Sequence, residues 1–172
     1  MSPAVTDSTV IPAGKWTVDP VHSSVEFRVT DVQELMSTIR GRFREFEGVL
    51  ETDEDLENAR AHGVVKAGSI STDQEQRDEH LRSPDFLDSE RYPDITFEST
   101  RIERTEGDKL SIAGTLTLKE QPQDVELEAR IAGLGESSQG GERLVIETES
   151  EIEFGPMKVG LSIDVTAIRE GS

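Results

Sequence analysis

The residues best suited to proton transfer near neutral pH are three histidines, His22, His62 and His80. His80 lies in RDEHLRSPDF among arginine and carboxylate side chains, so it is one candidate for a general acid or base, and His22 in DPVHSS is the other. No serine occupies a G-x-S-x-G motif, and no two histidines are spaced i, i+4. We therefore predict no nucleophilic triad, no catalytic residue and no metal site.

Composition excludes several further classes of function. The 172-residue chain has no cysteine, so it has no disulfide, thiolate or zinc–sulfur site. Its formal net charge of −18 opposes binding to nucleic acid, because a phosphate backbone would be repelled over most of the surface. No glycine-rich phosphate loop is present, and we predict no cofactor.

The elements that must position these residues are strands. Apolar and polar residues alternate with period two in SVEFRVT, KLSIAGTLTLK, DVELEARIAG, RLVIETESEIEFG and GLSIDVTAI. Such alternation is typical of strands with one buried and one solvated face. Turn-forming residues separate several of these runs, in EGDK, EQPQ and QGGE. Long antiparallel strands of this kind suit a closed up-and-down barrel, so we predict an all-β fold.

One run breaks its own alternation. In TIRGRFREFEGVLE the apolar parity changes near Arg44 and Glu45, which predicts a β-bulge or a sharp bend at that point. Trp16 precedes the first long run, and we expect it to pack into the floor of the barrel.

The limits of the domain follow from composition. We predict a flexible N-terminal tail over residues 1–14 and a single barrel domain over residues 15–170. No lysine or arginine precedes Lys15, so the N-terminus does not resemble a signal peptide, and no apolar run reaches the length of a spanning helix. We therefore predict a cytoplasmic protein without stable membrane insertion.

The segment from residue 72 to residue 91 interrupts the strands. Thr72 and Glu75 have the spacing of a capping box, which predicts a helix from Asp73 that ends at Ser83-Pro84. The helix is either an ordinary solvated surface element or a cover for the barrel mouth. Because runs of charge usually mark solvated faces, the residues alone favour the surface element.

Several motifs resemble those of the YceI-like family of polyisoprenoid-binding proteins. WTVDPVHSSVEFRV resembles the family's opening motif, GRFREFEG its G-x-F-x-x-F-x-G motif, and SISTDQEQRDEHLRSPDFLDSERYPDITFEST its longest signature. The resemblance covers residues 15–168. It implies a lipocalin-like, eight-stranded antiparallel barrel that holds a long apolar chain, with a short helical segment near residues 73–90 at the mouth. It thus reverses the preference for a surface helix. Many relatives are exported.

The first functional hypothesis is non-catalytic binding, storage or transport of an isoprenoid-type lipid, such as an isoprenoid quinone, a polyprenyl lipid or a fatty-acid-like molecule. The expected lining of the apolar cavity comprises Phe27, Val29, Phe43, Phe46, Leu81, Phe86, Leu87, Phe97, Leu116, Leu118, Leu127 and Phe154. Candidates for contact with the lipid head group are His22, Arg77 and His80. We expect a neutral head group, because nearby carboxylates offset the arginines of the mouth segment.

Two other hypotheses stay open at this point. In one, the protein is an enzyme that acts on a bound lipid with His80 or His22 as the acid/base. In the other, the interior is fully packed and the outer face binds a protein; a homodimer is also an open alternative. The chain departs from the family's pattern at Asp31, in the turn LTLKEQPQ, and at Glu151 and Glu153, where the family has arginine and aspartate.

Overall fold

The computed structural model describes residues 10–31, 37–54, 56–136, 138, 140–154 and 157–171. Within these ranges the chain forms eleven strands, one α-helix and two 3₁₀ helices, Leu56–Asn58 and Ala67–Ser69. The strands are β1 (Gly14–Val18), β2 (Ser24–Asp31), β3 (Ser37–Phe43), β4 (Phe46–Thr52), β5 (Arg60–Lys66), β6 (Ile70–Ser71), β7 (Asp94–Glu106), β8 (Lys109–Leu118), β9 (Gln121–Glu136), β10 (Glu142–Phe154) and β11 (Met157–Arg169). The helix is α1 (Glu75–Arg82).

The strands form one closed antiparallel barrel of eight long strands, three of which are interrupted. β1 and β2 both pair with β11 and together make the first interrupted strand of the ring. β4 pairs with β1 and β3 pairs with β2, so β3 and β4 make the second. β5 pairs with β4 and β6 pairs with β3, so β5 and β6 make the third. From β7 to β11 each strand pairs with the next in sequence. Since β11 returns to β1 and β2, the ring is closed, which confirms the predicted eight-stranded up-and-down barrel.

The three interruptions lie side by side at residues 19–23, 44–45 and 67–69. The amide of Arg44 donates to the carbonyl of Ser69 at 3.1 Å, and the amide of Lys66 donates to the carbonyl of Glu45 at 2.9 Å. The chain therefore bends sharply at Arg44 and Glu45, as the broken alternation predicted. The matching break at residues 67–69 was not predicted, because no parity change in the sequence marks it.

The turn between β8 and β9 uses no glycine. Lys119 and Glu120 have φ angles of 54° and 62°, so both residues adopt the left-handed conformation that a two-residue hairpin turn requires. Gln121 and Pro122, which we assigned to this turn, already belong to β9. The predicted turn is therefore displaced toward the N-terminus, because the strand pairing extends to Gln121 opposite Leu118.

One end of the barrel, here called the closed end, is densely packed around Trp16. Its indole is fully buried, and its Nε1 donates to the Pro12 carbonyl and the Thr52 hydroxyl, both at 3.3 Å. The buried residues packed with it are Ile11, Ala59, Ile102, Leu110, Ile112, Leu127, Ala129, Ile131, Leu144 and Ala167. This confirms the floor position predicted for Trp16.

Residues 1–9 of the predicted tail lie outside the described residues, and Ile11 is buried, so the boundary at residue 14 stays a prediction.

The predicted start of the helix is wrong by two residues. Helix α1 begins at Glu75, because Gln74 caps it by accepting the amide of Arg77 at 2.7 Å, while Asp73 has a left-handed φ of 62°. The helix ends at Arg82, as Ser83-Pro84 predicted, and the remainder of the 73–90 segment consists of turns. In the part of the chain that the structure describes, no helix is both long and apolar enough to cross a membrane.

Candidate ligand-binding cavity

The end of the barrel opposite Trp16, here called the hollow end, contains a cavity of about 310 Å³. Its wall is almost entirely aliphatic and aromatic. All twelve residues predicted to line a cavity border it: Phe27, Val29, Phe43, Phe46, Leu81, Phe86, Leu87, Phe97, Leu116, Leu118, Leu127 and Phe154. The alternation of the strands therefore predicted the nine of these residues that lie on strands, and the cavity shows that the interior is not fully packed. That these residues bind a ligand stays a prediction.

The cavity exists partly because two phenylalanine rings lie against glycines in the wall. A Cβ atom built on Gly41 would lie 2.5 Å from Cζ of Phe27, and one built on Gly114 would lie 2.5 Å from Cζ of Phe97. Each ring thus covers backbone where a neighbouring side chain would otherwise stand. Aromatic side chains at these inward positions therefore enclose the space without filling it.

A second pair of glycines thins the wall further. Gly48 and Gly63 are register partners on β4 and β5, and both border the cavity. A Cβ atom built on Gly48 would lie 3.1 Å from the Val18 side chain, and one built on Gly63 would lie 3.2 Å from the Glu47 carbonyl, so both are positions of close approach. Neither glycine was predicted to border the cavity, although a glycine at an inward position of a strand is a usable signal for close approach of backbone or ligand.

The polar lining residues Glu47, His62, Thr96 and Thr148 were also missed. The hydroxyl of Thr148 donates to the carbonyl of Ile163 at 3.0 Å, so its hydrogen-bonding capacity is used within the sheet. Glu47 and His62 are exposed residues that reach the cavity at the thin part of the wall. Their outward parity in β4 and β5 gave no indication of this position.

Helix α1 and the turns after it cover one side of the hollow end. Leu81 and Phe86 are half-buried at the cavity, and Leu87 is buried. The ring of His80 packs edge-on against Phe86, with ring centroids 4.9 Å apart and an interplanar angle of 88°. This arrangement agrees with a cover at the barrel mouth rather than a purely solvated surface helix.

The polar residues at the start of α1 form a structural lock. The Asp78 carboxylate, only 4 % exposed, accepts hydrogen bonds from the backbone amide and the hydroxyl of Thr72 at 2.8 and 2.6 Å. Arg77 donates from Nε to the Thr72 hydroxyl at 2.8 Å and from Nη2 to the Thr72 carbonyl at 3.0 Å. The lock explains why the predicted capping box fails, because Thr72 binds Asp78 instead of capping a helix from Asp73.

None of the three head-group candidates borders the cavity. Arg77 is engaged in the lock. The His80 side chain is 61 % exposed, with Nε2 3.5 Å from the carboxylate of Asp85, which is 78 % exposed. His22 lies in the 19–23 interruption, with Nδ1 2.6 Å from Oδ2 of Asp19. That these three residues contact a lipid head group stays a prediction. In the described ranges, no cluster of histidine and carboxylate side chains could hold a metal.

The electrostatics of this turn centre on the Asp19 carboxylate. The hydrogen bond from His22 lowers the pKa of Asp19, partial burial opposes the shift, and Arg143, with Nη1 at 3.5 Å, lowers the pKa further. The group lies in the first interruption of the barrel wall, and neither His22 nor Asp19 borders the cavity. It stabilises the turn 19–23, whose Val21 amide also donates to Asp19 at 3.0 Å.

Two of the departures from the family's pattern lie on the outer face. Glu151 and Glu153 are exposed at outward positions of β10, opposite Gly160 and Lys158 of β11. Neither residue borders the cavity. The loop that follows Asp31, residues 32–36, lies outside the described residues.

The fold and the cavity define a class of protein: a hollow, lipocalin-like antiparallel barrel with an apolar interior. The model of the YceI-like domain matches residues 16–168, nearly the whole described chain, and the chain belongs to the YceI-like family.

Curated relatives and solved structures agree with this assignment. The chain is 35 % identical to Protein YceI of Salmonella newport (strain SL254) over 150 residues, which cover 87 % of this chain and 77 % of that protein. It is 37 % identical to Protein YceI of Escherichia coli O157:H7 over 134 residues, covering 77 % and 69 %. The crystal structure of the Campylobacter jejuni YCEI protein superposes with a TM-score of 0.72 at 26 % identity, covering 81 % and 91 %. BcnA of Burkholderia cenocepacia, at 19 % identity, shares the fold, with a TM-score of 0.74 and coverage of 87 % and 98 %.

Proposed function

We propose that this protein binds, stores or transports a long-chain isoprenoid-type lipid, such as an isoprenoid quinone or a polyprenyl lipid, inside the barrel. The observation that carries the proposal is the apolar cavity of about 310 Å³ at the hollow end. Its volume falls at the lower end of the range of roughly 300–1,000 Å³ typical of small-molecule sites. A fatty-acid-like chain is the nearest alternative ligand of the same chemistry.

The physical basis is transfer of the chain from water to the cavity. Each buried methylene contributes about 0.8 kcal/mol. Association costs at least about 4 kcal/mol in lost translational and rotational freedom, so roughly fifteen or more buried methylene equivalents are needed for a micromolar dissociation constant, about −8 kcal/mol. A few prenyl units supply that number.

The direct test is to purify the protein, extract it with organic solvent and identify the bound lipid by mass spectrometry. Stripped protein is then titrated with an isoprenoid quinone and with a polyprenol. Val125→Trp fills the cavity from β9, because Val125 is half-buried in the lining, and Glu128→Trp places the same ring on the exposed face of the strand. We expect Val125→Trp to abolish uptake and Glu128→Trp to retain it.

The proposal is wrong if the purified protein contains no lipid and the stripped protein takes up neither probe. It is also wrong if both tryptophan variants bind the probes as the unsubstituted protein does, because binding would then occur outside the cavity. Thermal unfolding of each variant establishes that a loss of uptake reflects the filled cavity rather than an unfolded barrel.

We infer further that the head group is neutral, quinone-like or alcohol-like. The arginines near the mouth are already engaged, Arg77 with Thr72 and Arg82 with Glu75 at 3.0 Å. A neutral ring would need only one or two donors, whereas a diphosphate would lack surplus positive charge at the rim. Displacement of a fluorescent fatty acid from the cavity by a polyprenol and by a polyprenyl diphosphate of equal length tests this. Tighter displacement by the diphosphate, weakened by salt, would contradict it.

The proposal includes no catalysis. Neither His22 nor His80 borders the cavity, and His62, which does, is an exposed residue at an outward position of β5. We expect a bound quinone or polyprenol to be recovered chemically unchanged after prolonged incubation, and a product that disappears in His80→Ala would revive the enzyme hypothesis.

A cytoplasmic location belongs to the proposal as well, and cell fractionation tests it. Light scattering during gel filtration distinguishes a monomer from a homodimer.

A further inference from the structure

The outer face of β2 and β3 concentrates arginines in a chain that is otherwise strongly acidic. Arg28, Arg40 and Arg42 are exposed and border a groove of about 300 Å³ on the outside of the barrel. Arg44 continues the same alternation along the strand and lies beside the groove, where its Nη2 donates to the Ser71 hydroxyl at 3.3 Å. The arginine side chains of the groove project outward from the barrel, while Phe27 borders both the groove and the cavity.

The arrangement costs stability. Arg28 and Arg40 are direct register partners, and like charges directly opposite each other in antiparallel strands are destabilising. The chain has 36 acidic and 18 basic residues, so carboxylate partners are abundant. Nevertheless, Arg40 and Arg42 form no ion pair within 4.0 Å with any carboxylate of the described residues. Folding alone does not account for this pairing of positive charges.

The groove also holds Arg28 in place. A Cβ atom built on Gly160 would lie 3.1 Å from Cγ, Nε and Cζ of Arg28, so the guanidinium lies close against bare backbone. Arg28 also donates from Nη1 to the Ser162 hydroxyl at 3.5 Å, and Ser162 borders the groove together with Ser71. Fixed guanidinium groups and hydroxyls lose little entropy when they bind an anion.

Two carboxylates, Glu26 and Asp73, border the groove as well. Arg44 lies 3.9 Å from Asp73 and partly neutralises it. Three arginines in the groove with Arg44 beside it therefore leave a surplus of positive charge. A planar guanidinium forms two parallel hydrogen bonds with a phosphate group, which makes arginine the preferred residue for such sites.

We propose that this outer groove binds a phosphate-bearing group with at least two negative charges. Such a group relieves the repulsion between Arg28 and Arg40 while it accepts hydrogen bonds from the guanidinium groups and the serine hydroxyls. The site functions independently of the cavity, so its test requires no lipid inside the barrel. The phosphate belongs either to a free small molecule or to the head group of an anionic phospholipid.

The first experiment is a calorimetric titration with inorganic pyrophosphate at two salt concentrations. Arg40→Gln/Arg42→Gln removes two arginines of the groove, and a double change from Arg to Gln at Arg60 and Arg101 removes the same charge from exposed positions elsewhere. We expect the groove variant to bind pyrophosphate roughly tenfold more weakly or worse, because each charge-assisted hydrogen bond contributes substantially, and the control variant to bind within about twofold. The groove variant should melt no lower than the unsubstituted protein, since it relieves repulsion.

The second experiment identifies the source of the phosphate. The same proteins are sedimented with vesicles of phosphatidylcholine alone and with vesicles that also contain phosphatidic acid, whose phosphomonoester can carry two negative charges. Binding of pyrophosphate that depends on Arg40 and Arg42 supports a free phosphorylated ligand. Binding only to the anionic vesicles, with the same dependence, supports a lipid head group. Binding to neither probe, or equal loss in the control variant, overturns the proposal.

Discussion

At the closed end of the barrel, Trp16, Ile102, Ile131 and Leu144 are completely or almost completely buried. At the hollow end the same set of strands supplies a mixture of buried and half-buried residues around a cavity of about 310 Å³. Both ends obey one rule of alternation, so the direction of the side chains does not distinguish them. The difference lies in how the inward positions are filled. A stable core needs only part of the interior, which leaves the other part for a ligand.

Substitution of Trp16 should have the largest effect on stability and tests the contrast between the two ends most directly. Trp16→Ala leaves a large void in a dense core, and we expect a loss of about 3–5 kcal/mol in the free energy of unfolding. Phe154→Ala removes a half-buried ring at the hollow end, where the site already borders empty space, and should cost clearly less. Urea denaturation of both variants measures the difference. Equal losses would show that the two ends are equally dense.

Substitution in the lock at α1 should have the next largest effect on stability. Asp78→Ala leaves the buried Thr72 amide and hydroxyl without their acceptor, which should cost roughly 2–3 kcal/mol. It should also loosen the cover of the hollow end, so that protection of the α1 amides from hydrogen exchange falls while that of the closed end is retained. Asp85→Ala, at a highly exposed carboxylate, serves as the control and should change stability by less than about 0.5 kcal/mol. Unchanged protection of α1 in Asp78→Ala would contradict the assignment.

Gly41 tests how the cavity stays empty. Gly41→Ala forces the Phe27 ring away from the wall and also meets the Ser71 carbonyl at 2.9 Å, so we expect a cost of about 1–2 kcal/mol. The displaced ring should lower lipid uptake as well. Gly133→Ala is the matched control at the packed side of the sheet, where the new methyl meets only Val145 at an ordinary 3.7 Å. If the two variants take up lipid equally, the flat Phe27 ring does not keep the cavity open.

A substitution on the outer wall, Asp164→Asn, should have the smallest effect on stability. It leaves the interior unchanged and so serves as a reference for the substitutions above. Burial, followed by the nearby Glu147, Glu26 and Glu149, raises the pKa of Asp164 above its ordinary 3.8. Since the folded state binds this proton more tightly, stability is lost as the pH rises from below 3.8 through the raised pKa. Asp164→Asn should therefore add less than about 1 kcal/mol at pH 7, and the gain should vanish below pH 3.8. Unfolding curves across this pH range measure it, and a variant that is less stable at pH 7 would contradict it.

The sequence predicted the barrel and the direction of its side chains well, because period-two alternation directly reflects which face of a strand is buried. It placed Phe27, Phe97 and Leu116 at the cavity for this reason. It failed at the start of α1, because the capping box is a local rule and the competing acceptor for Thr72 is the buried Asp78 carboxylate. Burial of the Asp78 carboxylate depends on tertiary packing, which the local sequence between Thr72 and Asp78 does not reveal.

Features that depend on strand register were not predictable. Gly48 and Gly63 thin the wall only because β4 and β5 bring them opposite each other. Arg28 and Arg40 are also separate in the sequence, and the pairing of β2 with β3 makes them neighbours. The head-group candidates were chosen by residue type, and Arg77 shows why that was insufficient, since its donors are used by Thr72.

The order of the strands also has a kinetic consequence. Every long strand pairs with its neighbour in sequence except at the closure, where β11 meets β1 and Trp16 lies opposite Arg169. Contacts between the two ends of a chain carry the largest loop-closure entropy and tend to form late in folding. Until β11 is synthesised, a nascent chain cannot close the ring and its apolar face stays exposed to chaperones. Because Trp16 is the only tryptophan, its fluorescence reports this last step.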